Sequence, residues 1–577
     1  MKNKLFILSL LVFTLNGFSQ KNITTRFEAS GGNETPEYHE IISWWKNLEK
    51  QSPMVKIKAM GPTDSGFPLH LVMVSGNKVF DIPTLKKQNK RIILVNNGIH
   101  PGEPDGIDAS MLLVRDIVAK KIALPDNVVL AIIPVYNIGG ALNRSEFFRV
   151  DQNGPEAFGS RGNARNYDLN RDFIKNDTRN ARSFVEIFHY CDPDVFVDNH
   201  VSNGADYQHV MTLIPTQHSK LGGKMGAFMN EVFEPWLYKD MEEKNFPMIP
   251  YVSFVGGNPE RGWSEFFETP RYSTGYAALW HTFAFMPETH MLKPYKDRVT
   301  ATYELMRSFI QFTSEHSDEI ARVRRQQKEE ALTKAEFPIF WQMDREKKKQ
   351  VYFKGYEAGY KTSEVSGLPR LYYDRNKPYE KWVGVNNVFN PVITVKKPDA
   401  YVIPQGWWQV IDLLKLNGVK MQPIARDTMI NVEVYHIEDF TPSRGPYEGH
   451  YNHSNVKIKV SRQDIHFRKG DWLIPMNQDA NRFLIEVLEP QAHDSYFSWN
   501  FFDPILNRKE GFASYNFEDV AAEYLKANPK VREMLEAQKS KDTAFAKNAS
   551  AQLNFVYQNS PYSEPEYRRY PVYRIIN

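Results

Sequence analysis

Hydrophobic and polar positions change texture along the chain near Phe337. Before that point helical and strand-like patterns alternate. Glu37–Lys50 carries apolar residues at helical spacing, which predicts an amphipathic helix. Short apolar runs at Leu69–Val74, Arg91–Asn96, Val128–Val135 and Asp194–Asp198 predict strands. Helical patterns at Gly106–Ala119 and Thr178–Tyr190 lie between them, and Ser219–Lys239 predicts another helix. Ala277–Met286 fits a buried strand or a short helix. Strands alternating with helices predict an α/β fold with a mixed, partly parallel twisted sheet flanked by helices.

Pro294–Lys334 reads as one or two helices ending in the charged stretch Ala321–Glu330, a solvated helical face at the edge of a first domain. Beyond Phe337 come short β-like runs at Gln350–Phe353, Val392–Val395, Ile430–His436 and Val456–Val460. Helices are predicted at Trp407–Asn417, stopped by Gly418, near Phe517–Leu525 and at Pro529–Gln538. The expected organisation is a first domain over residues 20–330 and an α+β accessory region of one or two domains over 331–577. There is no internal repeat and no low-complexity segment.

The N-terminus changes the picture. Lys2 and Lys4 precede the apolar segment Leu5–Leu15, and small residues follow at Gly17 and Ser19. This fits a signal peptide over residues 1–19 and predicts an exported protein, periplasmic or extracellular. The segment is too short to span a bilayer, and no second apolar run has membrane length. Cys191 is the single cysteine, so no internal disulfide forms, and a buried small residue is its expected role. A net charge of +3 without a long basic block argues against a nucleic-acid partner. The 13% aromatic content is expected to fill apolar cores. Oligomeric state is not legible.

The candidate chemistry sits at strand ends. Ile92–Val95 runs into Asn97-Gly98-Ile99-His100-Pro101-Gly102-Glu103, which presents an imidazole and a carboxylate at the lip of a sheet. Two such ligands can grip one side of a zinc ion, and a third must come from elsewhere. His316-Ser317-Asp318-Glu319 has the same spacing but lies in a charged helix, and is expected to be a surface pair. Arg161–Asp172 packs Arg161, Arg165 and Arg171 with Asn163, Asn166 and Asn170 into one loop-like stretch suited to bidentate carboxylate capture. A second strand, Val195–Asp198, ends near His200, a candidate third ligand. Glu288 follows an apolar run and is a candidate base, with Glu265 and Glu268 as rivals.

His-x-x-Glu after a strand, Arg-x-Asn then Asp-x-Asn-Arg, a strand-end His and a late strand-end Glu together resemble the zinc carboxypeptidase family of the A, B and T type. The resemblance covers about Thr35 to Ser314. It implies a catalytic domain over 20–330 and one zinc per chain, held by His100, Glu103 and His200 with a fourth position open for water. It implies Glu288 as general base and Arg161 as the donor that polarises the scissile carbonyl. It implies Asn170 and Arg171 as the grip on the substrate's terminal carboxylate, and Asp168 as the acid that orients the first zinc imidazole. Tyr272 or Tyr276 stands for the family's mobile tyrosine, with Tyr272 taken as the substrate-binding candidate. The implied partner is a peptide with a free C-terminal carboxylate. A zinc-dependent N-acyl amino acid deacylase of the aspartoacylase or desuccinylase kind shares much of this signature and is the alternative, with an inactive binding relative as a third reading. For the accessory region, packing on the catalytic domain is the leading expectation and glycan or cell-wall binding the lesser one.

Overall fold

The computed structural model describes residues 23–252 and 257–576. The expected signal peptide lies outside the described residues. Nine strands form the main sheet: β1 (Val55–Pro62), β2 (Pro68–Ser75), β3 (Arg91–Asn96), β4 (Val128–Ile133), β5 (Val195–Asp198), β6 (His200–Ser202), β7 (Met211–Pro215), β8 (Ile249–Pro250) and β9 (Phe283–His290). Their order is β1-β2-β4-β3-β5-β9-β7-β8, with β6 also paired to β9. The run β4-β3-β5-β9 is parallel, while β1–β2, β2–β4 and β9–β7 are antiparallel. The sheet is therefore mixed and partly parallel.

The all-apolar middle of β3 follows from burial on both faces. Ile92 and Leu94 join one hydrophobic cluster with Phe184 and Phe188 of the helix Arg179–Cys191. Ile93 and Val95 join the other, with Met111 of Asp105–Val118 and Leu305 of Tyr295–Glu315. Much of the aromatic content goes into these layers, for example Phe173, Phe184 and Phe196 on one side and Phe233, Phe285 and Phe312 on the other. Each fully buried aliphatic or aromatic side chain contributes roughly 1.5–3 kcal/mol of transfer free energy. Cys191 is fully buried, as expected of a packing residue, and burial pushes its thiol up to about 12.

Several elements differ from expectation. The Ser219–Lys239 helix is broken at Gly222, where φ is +63°, into His218–Leu221 and Gly223–Phe228, and it continues through a π-turn to Glu234–Glu243. Ala277–Met286 is neither one strand nor one helix. The helix Ser273–Leu279 ends, the chain turns, and β9 begins at Phe283. The stretch Pro294–Lys334 is two helices, Tyr295–Glu315 and Ser317–Thr333. Most of the charged face 321–330 meets solvent, but Arg324 is buried against Asp192 and Asp194. His316 and Glu319 lie 3.6 Å apart at the surface, both part-exposed.

Beyond Phe337 the β-like runs belong to longer strands. Lys349–Thr362 and Pro369–Asn386 pair as a long arm, joined by Trp263–Ser264. A six-stranded sheet includes Ala400–Ile403 and the hairpin Thr428–Pro442/His453–Phe467. The helix Trp408–Leu416 stops before Gly418 (φ +70°), and Ser514–Ala527 and Pro529–Lys541 follow near the C-terminus. The cluster that holds Leu94 and Phe196 also contains Tyr401, Ile403, Phe483 and Trp499, so one apolar body runs through both halves. Among the described residues no helix is long and apolar enough to cross a membrane.

Candidate active site

Where β3 ends, Gly98 takes φ +63° and lets the chain turn under the sheet edge. The Glu103 N–H donates to the His100 carbonyl at 2.8 Å, closing the turn that sets both side chains inward. Asn199 interrupts the strand between β5 and β6, and its side-chain amide donates to Asn97 Oδ1 at 2.8 Å. Asn96 donates to Asp198 Oδ1 at 2.9 Å. This buried amide ladder ties the two loops together.

His100, Glu103 and His200 are thereby brought into one buried group, with ligand atoms all within 4.8 Å of one another. His100 Nδ1 lies 3.3 Å from Glu103 Oε1, and His200 Nδ1 lies 3.2 Å from Glu103 Oε2. The outward nitrogens are held by carboxylates: His100 Nε2 by Asp168 at 2.9 Å and His200 Nε2 by Asp198 at 3.0 Å. That arrangement turns both Nδ1 atoms toward one point and fixes the ring orientations, as metal-binding imidazoles require. Burial alone would raise the Glu103 carboxyl, but Arg149, His100 and His200 hold it well below the usual carboxylate range. Burial would lower His200, yet Asp198 and Glu103 raise it well above its ordinary value. Two imidazoles and a buried carboxylate are a donor set that fits zinc.

Glu288 is the register partner of His200 across β9 and β6, so it stands beside the cluster on a strand rather than after one. Burial pushes its carboxyl up to about 8, helped by Glu103 and opposed by His200 and the nearby arginines. Arg161 donates from Nε and Nη2 to Asp168 Oδ2 at 3.0 and 2.9 Å. Its Nη1 reaches His100 Nδ1 at 3.3 Å.

A cavity of about 540 Å³ opens over this group and is lined by Arg161, Asn170, Arg171, Tyr272, Glu288 and the three candidate ligands. Ile214, Met286, Phe266 and Glu268 line it as well. Asn170 Oδ1 is buried without a hydrogen-bond partner. Arg171 Nη1 donates to the Asn170 carbonyl at 2.8 Å, and its guanidinium lies 4.5 Å from the Tyr272 ring centre. Tyr276 is elsewhere, in the apolar core with its hydroxyl on Asn417 at 2.8 Å. Of the rival acids, Glu268 lines the cavity and is held by Thr274, with burial pushing it up to about 7. Glu265 lies outside the cavity lining, where burial and Glu234 push it up to about 8.

Sequence reasoning left two supporting residues without a role. Asp198 was visible two positions before His200. Arg149, which donates to Glu103 Oε1 at 2.6 Å and to the Val201 carbonyl at 3.0 Å, lies in an irregular loop that gives no periodic signal.

A buried His-Glu-His group at the carboxyl ends of parallel strands, beside a cavity with its own acid, is an arrangement that could hold a metal ion next to a bound substrate. Comparison with known proteins makes the class specific. Residues 41–247 match the zinc carboxypeptidase family. Carboxypeptidase 2 of Trichophyton rubrum is 20% identical over 467 residues, covering 75% of this chain and 77% of that one. Among solved structures, carboxypeptidase A from Helicoverpa armigera aligns with a TM-score of 0.37 at 12% identity, covering 51% of this chain and 74% of its own. A metallo-carboxypeptidase from Burkholderia cenocepacia aligns at 0.35 and 15%, covering 47% and 67%. Over residues 41–247, about a third of its length, the chain is similar to zinc carboxypeptidases, and the relatives it matches over most of their length are carboxypeptidases.

Proposed function

We propose that the protein is an exported carboxypeptidase that removes the C-terminal residue of peptides, using one zinc ion per chain held by His100, Glu103 and His200. The observation that carries this reading is the meeting of those three side chains with Glu288 alongside His200. Zinc in that site supplies Lewis-acid activation of water and of the scissile carbonyl.

The chain's own groups do the rest. Glu288 accepts a proton from the attacking water and returns it to the leaving amine. Arg161 donates hydrogen bonds to the carbonyl oxygen as negative charge builds there. Asn170 and Arg171 hold the terminal carboxylate, and Tyr272 closes over it. Asp168 and Asp198 keep the two imidazoles in their ligating orientation. Residues 20–330 form the catalytic unit in this reading and 331–577 the accessory region. The expected address is the periplasm or the exterior, carried by residues 1–19, and fractionation of expressing cells tests it.

The functional test compares matched peptides with free and amidated C-termini, before and after chelation and zinc return. Cleavage of the free form alone, lost on chelation and restored by zinc, is the expected result. Equal cleavage of both forms would overturn the exopeptidase assignment, and preference for N-acyl amino acids would move the protein to the deacylases.

A further inference from the structure

The hairpin Thr428–Pro442/His453–Phe467 belongs to the accessory region, yet its tip ends against the carboxylate-holding loop of the catalytic half. Tyr447 and His450 close a four-residue turn with backbone hydrogen bonds in both directions, at 2.7 and 3.1 Å. Both central residues are left-handed, Glu448 with φ +49° and Gly449 with φ +80°, as in a type I′ turn. Glycine is required at the second position, where a Cβ would stand 2.5 Å from Tyr167 Oη. Glutamate at the first is costly, since a side chain there crowds its own backbone.

Contacts with Asp168 and Asp177 of the catalytic half, and with Asn500 of the accessory region, hold the turn in place. The Asp168 N–H donates to Glu448 Oε2 at 2.9 Å. His450 Nε2 lies 2.8 Å from Asp177 Oδ2, and its Nδ1 lies 2.6 Å from Asn500 Oδ1. The turn is pinned on both sides of the segment that carries Asp168, Asn170 and Arg171.

The Tyr447 hydroxyl accepts the Arg171 Nε–H at 2.9 Å. With Nη1 on the Asn170 carbonyl and Tyr272 across the guanidinium face, Arg171 is fixed on three sides. Nη2 has no partner among the described residues. The Tyr447 ring is itself backed by Trp499, 6.1 Å between centres, and by the Arg271 guanidinium at 5.7 Å. A free arginine side chain loses rotamer entropy when it grips a ligand, and ordering it beforehand removes that cost from ligand binding.

We propose that Tyr447 is a positioning residue for Arg171, and that the accessory hairpin tip thereby completes the subsite that reads a peptide's terminal carboxylate. The inference rests on the carboxypeptidase reading above. The test is Tyr447→Phe, which keeps the ring and its packing and deletes only the hydrogen-bond acceptor. Loss of one bond to a charged group should raise KM for free-carboxylate peptides about tenfold. We expect kcat within about twofold of wild type, an unchanged melting temperature, and no change toward amidated peptides. Tyr447→Gln, whose amide oxygen can accept the Nε–H, should recover part of the loss. Gly449→Ala, which pushes the turn off Tyr167, should shift KM in the same direction. An unchanged KM in Tyr447→Phe, or a loss wholly in kcat or in melting temperature, would overturn the inference while the wild type still cleaves free-carboxylate peptides. A folded, zinc-loaded wild type that cleaves none would instead overturn the carboxypeptidase reading, and the inference with it.

Discussion

The candidate metal centre and the candidate carboxylate anchor sit in one cavity but are built differently. The centre is local to the sheet: His100, Glu103 and His200 come from adjacent parallel strands, and Asp168 and Asp198 brace them within the catalytic half. The anchor is assembled across the molecule, with Arg171 bonded to a tyrosine 276 positions away. On the proposed reading, the bond-breaking groups come from one sheet edge, while the carboxylate anchor also draws on a distant hairpin. The first can be shared by a family; the second can change with whatever is appended to it.

That contrast can be broken by substitution. His200→Ala removes a ligand and should abolish activity together with bound zinc, read by metal analysis of the purified protein. Glu288→Gln should leave zinc and KM in place while lowering kcat roughly 10²–10⁴-fold. A near-normal rate there would make Glu268, which also lines the cavity, the better base. Arg171→Ala strikes the anchor instead. It should cost roughly 10²-fold in kcat/KM on free-carboxylate peptides, mostly in KM, and shrink the preference over amidated ones. Asp198→Asn leaves all three ligands but loosens one imidazole, so zinc affinity should fall about 10–100-fold in a competition titration.

The smallest effect on catalysis should come from Asp194→Asn, far from both regions. Burial alone would raise the Asp194 carboxyl, but Lys86, Arg324 and Arg91 hold it far below its ordinary value. A depressed carboxyl stabilises the fold above the unfolded-state value, and that contribution is lost as pH falls through the folded one. The variant should therefore lose about 3 kcal/mol near neutral pH, with the gap to wild type narrowing below about pH 4 in thermal melts.

Legibility followed burial and distance. The fully buried β3 announces itself as an unbroken apolar run, and its C-terminal His-x-x-Glu was readable beside it. Edge strand β1, with Val55-Lys56-Ile57-Lys58, alternates as a half-exposed strand should, and its mixed polarity leaves no apolar run to mark it. Strand β7 is short and ends in Pro215, so it carries little pattern of its own. Its place beside β9 is a fact of tertiary pairing. The order of Arg161, Asp168, Asn170 and Arg171 was visible as a motif, because a single loop holds them. Tyr447 was not, because nothing in a polar turn says where its hydroxyl will land. Arg324 shows the same limit: in a run of charges one residue faces inward, and only the helix's neighbours decide which.

The apolar body that includes Leu94 and Phe196 on one side and Tyr401 and Trp499 on the other has a thermal consequence. Parting the two halves would bare that shared body, so heating should dismantle both together, as a single calorimetric peak, and the enzyme should lose its ligand pocket at the temperature where its distal strands come apart.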